Sequence, residues 1–227
     1  MRLYPAGGIR MTVYIYMISF IIIFITDLIV SSVTTFKFAK KGMNVKIKLD
    51  ISTEDMRKSE KRINAFLTAN QLGDDKSIYD IAEILNVEQG GTEQGLQDQA
   101  YLKECGDHKK LVVFKPNLSE RQQHFVFAHE IAHLINGDEI PVTRPNARNK
   151  SKIEQLADYT AAALLMPLDA VYNYLENNLY QNIPVKKRVK IVKELCEKYN
   201  VTEVIVLRRI KEVYALKQDN IENQSIL

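Results

Sequence analysis

Cysteine is almost missing from this chain: 227 residues hold two, Cys105 and Cys196. They lie far apart and make no C-x-x-C pair, which excludes both a disulfide framework and a cysteine-held zinc site, and fits a reducing compartment. An excess of one charge is also missing. Lys and Arg number 31 against 28 Asp and Glu, a net charge of +3 that by itself does not argue for nucleic acid. No internal repeat is visible, so a solenoid is excluded. Histidine is scarce, four residues in all, which makes its placement informative. What remains is an ordinary globular composition, 46% hydrophobic and 26% charged. The length allows one good-sized core, or one domain with a small appendage.

The N-terminal stretch stands apart. Between Met11 and Phe36 the only formal charge is Asp27, and residues 13–25 are almost wholly apolar. Residues 13–33 are long enough to span a bilayer as a helix, with one costly acid near the end. Lys37, Lys40, Lys41, Lys46 and Lys48 follow it, against Arg2 and Arg10 before it, so an anchor here would leave the larger part facing the cytoplasm. A cleaved leader is disfavoured, because no A-x-A-like site follows. An equal alternative is a start at Met43, where Asn44 to Lys48 opens like an ordinary chain. The expected organisation is therefore an apolar segment over 1–42, a catalytic domain over 43–182 and a helical segment over 183–227.

Beyond Met43, Ser52-Thr53-Glu54-Asp55 predicts a capped helix reaching about Asn70, and a second short helix runs near Ser77 to Leu85. The polar, Gly/Gln-rich stretch 88–99 reads as a loop. Tyr101-Leu102 and Leu111-Val112-Val113-Phe114 read as two strands of a hairpin around Gly106-Asp107. Ser119 and Gln122 form a capping box for the next helix, and Gly137 closes it. A basic loop, 141–152, leads to another helix that Pro167 stops, and two or three short helices are expected over 183–216.

The central helix carries His129-Glu130-Ile131-Ala132-His133. Four residues apart, the two histidines project about 40° from each other, so both imidazoles reach one metal ion. Glu130 lies about 100° from His129 and about 60° from His133, placed to take a proton from water without being a ligand. That is the division of labour of a zinc hydrolase. By composition an H-E-x-x-H arises by chance in roughly one such chain in a hundred. The bland alternative is an amphipathic helix with a satisfied histidine pair. His124, about 140° from His129, faces the other way and reads as structural. On the following helix Glu154, Ala157, Asp158, Ala161 and Leu165 form one stripe. Its alanines permit close approach, so Glu154 supplies a third zinc ligand and Asp158 accepts a hydrogen bond from a ligand histidine. Alone, these two acids would read as an exposed pair beside the basic loop. Three protein ligands leave a position open, as in a catalytic site. For the group that stabilises an oxyanion, Tyr159, Tyr172 and Arg148 are the candidates, each more in keeping with a structural or surface place.

These residues carry a resemblance. Leu111 to Asn117, Arg121 to His133, and Glu154-Gln155-Leu156-Ala157-Asp158 through Leu164-Leu165-Met166-Pro167 resemble the ImmA/IrrE family of bacterial metallopeptidases over roughly residues 75–215. The resemblance implies an α+β fold: a mostly helical, zincin-like domain with a small antiparallel sheet and a C-terminal helix-turn-helix-like segment. It implies a cytoplasmic zinc endopeptidase with His129, His133 and Glu154 as Zn2+ ligands and Glu130 as the base. It also implies a protein substrate, a helix-turn-helix transcriptional repressor of a phage or mobile element. Tyr159-Thr160 departs mildly from the family's Phe, and the N-terminal apolar segment is outside its usual pattern.

Other functions compete. Leu195 to Val204 with Leu207-Arg208-Arg209-Ile210 resembles a helix-turn-helix, with Asn200 at the turn, Thr202 capping the second helix, and Lys186, Lys187, Arg188, Lys190 and Lys193 as a basic face. Packing or partner binding is favoured over direct DNA binding, since a solvated basic face is the common case. A membrane-tethered regulatory peptidase is the third reading, and an inactive peptidase used as a binding protein the fourth, without a residue to support it.

Overall fold

The structure, a computed structural model, describes residues 51–73, 75–96, 98–138 and 151–224. All of them belong to one compact unit, Lys48–Leu227. The apolar segment 13–33 and the candidate start at Met43 lie outside the described residues, and so does Arg148.

Helix α1, Thr53–Ala69, begins where Ser52 accepts a hydrogen bond from the Asp55 amide, with Glu54 and Asp55 in the first turn against the helix dipole. Its buried residues Met56, Ser59 and Ile63 share one face. Helix α2, Ile78–Ile84, opens with a reciprocal capping box between Ser77 and Asp80.

Three strands follow: β1 (Val87–Thr92), β2 (Ala100–Glu104) and β3 (Lys110–Phe114), in the order β1-β3-β2. The hairpin β2–β3 is antiparallel, Ala100 facing Phe114 and Glu104 facing Lys110, and Asp107 and His108 turn it with positive φ. Strand β1 corrects the reading of 88–99 as a loop. Only Val87 of its six residues is buried, so no alternation marked it. It pairs with β3 in parallel, which makes the sheet mixed rather than purely antiparallel. Gly90 has a packing reason, since a Cβ there would stand 3.0 Å from the Val112 carbonyl oxygen.

Helix α3, Glu120–Asn136, has the expected Ser119/Gln122 capping box and ends at Gly137 in the left-handed conformation, φ 77°. The Asp138 amide donates to the His133 carbonyl at 2.9 Å and the Gly137 amide to that of Leu134 at 3.1 Å, a Schellman closure. Phe127 and Ile131 of α3 enter the core, Phe127 lying 6.5 Å from the ring of Phe114 on β3. Helix α4, Lys152–Leu165, packs on α3 through the fully buried Ala157, Ala161 and Ala162. Small residues let the two backbones approach, which decides whether a side chain of α4 reaches a histidine of α3.

Pro167 caps α5 (Leu168–Asn177), and a 3-10 turn, Tyr180–Asn182, leads to α6 (Val185–Tyr199) and α7 (Glu203–Gln224). The last two are long, where two or three short helices were expected. Their apolar faces (Ile191, Leu195, Val206, Ile210, Val213) close a second core cluster with Met166, Val171 and Leu175. Helix α7 also packs against α1 and α4, so the C-terminal helices lie within the same unit as the central helix. Among the described residues the architecture is thus seven α-helices around a small mixed sheet, an α+β fold of the zincin-like kind.

Candidate metal centre

Within α3, His129, Glu130 and His133 are buried, at 8%, 4% and 1% exposure. Two buried histidines and a buried acid on one helix need polar partners, and α4 supplies them. Glu154 Oε2 lies 3.2 Å from His129 Nε2, and Glu154 Oε1 lies 3.7 Å from His133 Nε2. The side chains of His129, His133 and Glu154 offer donor atoms all within 4.8 Å of one another. Local chemistry puts Glu154 there: Ser151 caps α4 by accepting from the Glu154 amide, which sets that carboxylate in the first turn.

Both imidazoles are held from behind by carboxylates. His129 Nδ1–H donates to Asp158 Oδ1 at 2.9 Å, and His133 Nδ1–H donates to Asp138 Oδ2 at 2.8 Å. An ionised carboxylate only accepts, so each partner fixes the Nδ1–H tautomer and leaves Nε2 as a lone pair. The two Nε2 atoms then face each other at 3.1 Å. Two lone pairs at that distance repel unless a cation lies between them. Two nitrogens bound to one tetrahedral zinc at about 2.0–2.1 Å would be about 3.4 Å apart, close to this spacing. The donor set therefore fits a divalent metal ion. Without a metal, a proton does the same work. Burial lowers the pKa of His129, but the hydrogen bonds to Asp158 and Glu154 and the charges of Asp158 and Glu130 outweigh it and carry it to about 9.

Sequence reading named five residues: the donor atoms of His129, His133 and Glu154 come within 4.8 Å of one another, Asp158 lies behind His129, and Glu130 is buried next to His129 on α3. It missed two. Asp138 stands just past the Gly137 cap, and the Schellman closure onto the His133 carbonyl carries it back to that imidazole. A Gly-Asp pair right after H-E-x-x-H was the available signal. Arg208 of α7 is the other: its Nη1 donates to Asp158 Oδ2 at 3.0 Å, and no local pattern marked it.

The remaining candidates go elsewhere. Tyr159 is fully buried on the far side of α4, donating to Glu60 at 2.7 Å, with the Arg209 guanidinium 5.2 Å from its ring centroid. Its phenol is pushed well above the ordinary range, by burial first and then by Glu60, although Arg209 opposes this. Tyr172 packs on Tyr214 and Lys217, at 6.2 and 4.8 Å. His124 bonds through Nδ1 to the Asn200 carbonyl at 3.0 Å and is structural, as its helical angle implied.

Residues 92–211 match the family model of the IrrE N-terminal-like domain, Peptidase_M78, which covers more than half of the chain. No curated protein matches it.

Proposed function

This chain belongs to the M78 peptidase family, an IrrE/ImmA-like metallo-endopeptidase, and from that premise we propose that it uses zinc to cut a helix-turn-helix repressor or a similar regulatory protein. The observation that carries the reading is the buried His129–His133–Glu154 cluster, each histidine backed by its own carboxylate. Two neutral imidazoles and one carboxylate are a catalytic rather than a structural set, because they leave a coordination position free. Bound there, zinc supplies Lewis acidity toward a peptide carbonyl and toward water.

The chain's own residues do the rest. His129 and His133 would hold the ion through Nε2, while Asp158 and Asp138 keep the Nδ1 protons in place and so the rings in orientation. Glu130, adjacent in sequence to His129 and 4% exposed, is the carboxylate that takes a proton from water and passes it to the leaving amine. Its burial lowers the local dielectric, which strengthens each electrostatic interaction inside.

The repressor substrate and a phage or mobile-element setting rest on the family. A reducing cytoplasm is consistent with two free thiols, Cys105 and Cys196. Among the described residues no helix is long and apolar enough to cross a membrane. For the helix-turn-helix-like stretch, packing is better supported than DNA recognition. Its turn residue Asn200 bonds back to α3, through its carbonyl to His124 and through its amide to Glu120 at 3.1 Å. The exposed side chains at the start of the second helix are Glu203, Val204, Leu207 and Lys211, two of them apolar and one acidic, a poor match to phosphate.

The test is incubation of the chain with small helix-turn-helix repressors of phages and mobile elements, read as cleavage. Cleavage that depends on zinc and is lost in Glu130→Gln supports the reading. Equal cleavage by Glu130→Gln would remove Glu130 from the chemistry, and cleavage unaffected by metal chelation would remove the metal.

A further inference from the structure

Asp158 is a bifunctional acceptor. Its Oδ1 takes the His129 Nδ1–H at 2.9 Å, and its Oδ2 takes Arg208 Nη1 at 3.0 Å, so the carboxylate is gripped from both sides. Arg208 comes from α7, fifty residues further along the chain, and is itself held: its Nε lies 3.3 Å from Glu212 Oε1, one turn on, and its guanidinium carbon lies 5.9 Å from the Phe125 ring centroid. Glu212 is 2% exposed and Asp158 5%, so the arginine stands between two buried carboxylates, donating a hydrogen bond to Asp158 and pairing by charge with Glu212.

We infer that Arg208 is a positioning residue of the metal centre, fixing the Asp158 carboxylate so that Oδ1 stays on His129 Nδ1–H and His129 Nε2 stays aimed at the metal. The inference deepens the reading of His129, His133 and Glu154 as ligands and rests on it. It makes α7 part of the centre. An Asp158 without Arg208 loses the donor that now grips its second oxygen. Its hold on the imidazole then weakens even though both residues remain.

The sign of the effect separates positioning from charge. A guanidinium this near the centre repels a dication, so deleting the positive charge would by Coulomb's law alone tighten metal binding. Loss of orientation weakens it, and changes in partners behind a ligand histidine typically cost about 10- to 100-fold in affinity.

The experiment is titration of the metal-free full chain with Co2+, followed by its visible absorption, for wild type, Arg208→Met, Arg208→Lys, Asp158→Asn and the double variant Arg208→Met/Asp158→Asn. Expected are one site in the wild type, Arg208→Met weaker by about 10-fold or more with an altered Co2+ spectrum, and Arg208→Lys in between. Lysine keeps the charge and loses the fork, so it also serves if Arg208→Met does not fold. In the Asp158→Asn background, Arg208→Met should add little, because its route runs through Asp158. Unchanged or tighter Co2+ binding by a folded Arg208→Met, or full additivity of the two changes, overturns the inference while leaving the metal centre standing. A wild type that binds no Co2+ overturns the metal centre and Arg208's role with it.

Discussion

Two buried polar clusters lie on either side of α4, and they differ in how their charges are balanced. On one side His129, His133, Glu130, Glu154, Asp158 and Asp138 bring together two imidazoles and four acids. On the other, Arg209, fully buried, donates to Glu60 at 2.9 Å and to the Met166 carbonyl at 2.9 Å, and lies beside Glu212 and the Tyr159 ring. The second cluster carries its own cation, whose pKa is raised by Glu60, Tyr159 and Glu212 against the cost of burial. The first has an arginine only at its rear, through Asp158, and its front presents acceptors to one point. A buried group of acceptors without an internal cation is completed by something from outside. A cluster that already contains its cation is part of the scaffold.

That contrast can be broken in order of effect. Glu154→Ala or His129→Ala should take metal content from about one ion per chain to near zero, measured on purified protein, with the fold retained by circular dichroism. Glu130→Gln should keep the metal and lose cleavage by about 10²- to 10⁴-fold. If Glu130→Gln lost the metal as well, the two roles assigned on α3 would merge.

Arg209→Met should do the opposite of the ligand changes. It removes the cation that Glu60 bonds and leaves the buried Glu212 with Arg208 as its remaining basic neighbour, a loss of about 3 kcal/mol in denaturant unfolding, while metal content stays at the wild-type level in the folded fraction. A chain that lost metal as readily as stability would erase the distinction between the two clusters.

The metal-free chain should respond to pH. His129 has its folded pKa raised from 6.5 to about 9, so its contribution is complete below about 6.5 and is lost as pH rises through 9. The size is on the order of 3 kcal/mol at most, readable as a falling melting temperature between those limits. Saturating zinc should remove this slope, because a bound ion would compete with the proton for His129. Smallest of all, His124→Ala loses one hydrogen bond to the Asn200 carbonyl and should cost about 1 kcal/mol, with metal and cleavage unchanged.

Much of this was legible before any coordinates. The capping signals at Ser52, Ser77 and Ser119, the closing Gly137 and the stop at Pro167 all act within a turn of chain, so local sequence carries them. The same locality made H-E-x-x-H readable, since a spacing of four on a helix is itself a geometric statement. The failures have one source as well. Strand β1 is mostly exposed and holds two glycines, so its strand character comes from pairing with β3 and not from its own pattern. Tyr159, an oxyanion candidate by sequence, and Arg209, part of the helix-turn-helix-like stretch, instead meet Glu60 of α1, far away along the chain.

By itself, the sequence determined the two imidazoles and the base on α3, the acid stripe on α4 and the helix ends that hold both in register, because each depends on contacts within about one helical turn. Only the tertiary structure decided which imidazole Asp158 would take, that Asp138 would take the other, and that Arg208 of the last helix would stand behind Asp158. It also decided that one cluster would enclose its own cation while the other would gather three groups able to hold a metal ion. Those outcomes depend on how closely alanine-lined helices approach and where α7 crosses them, a property of packed side-chain volumes that no local stretch of chain encodes.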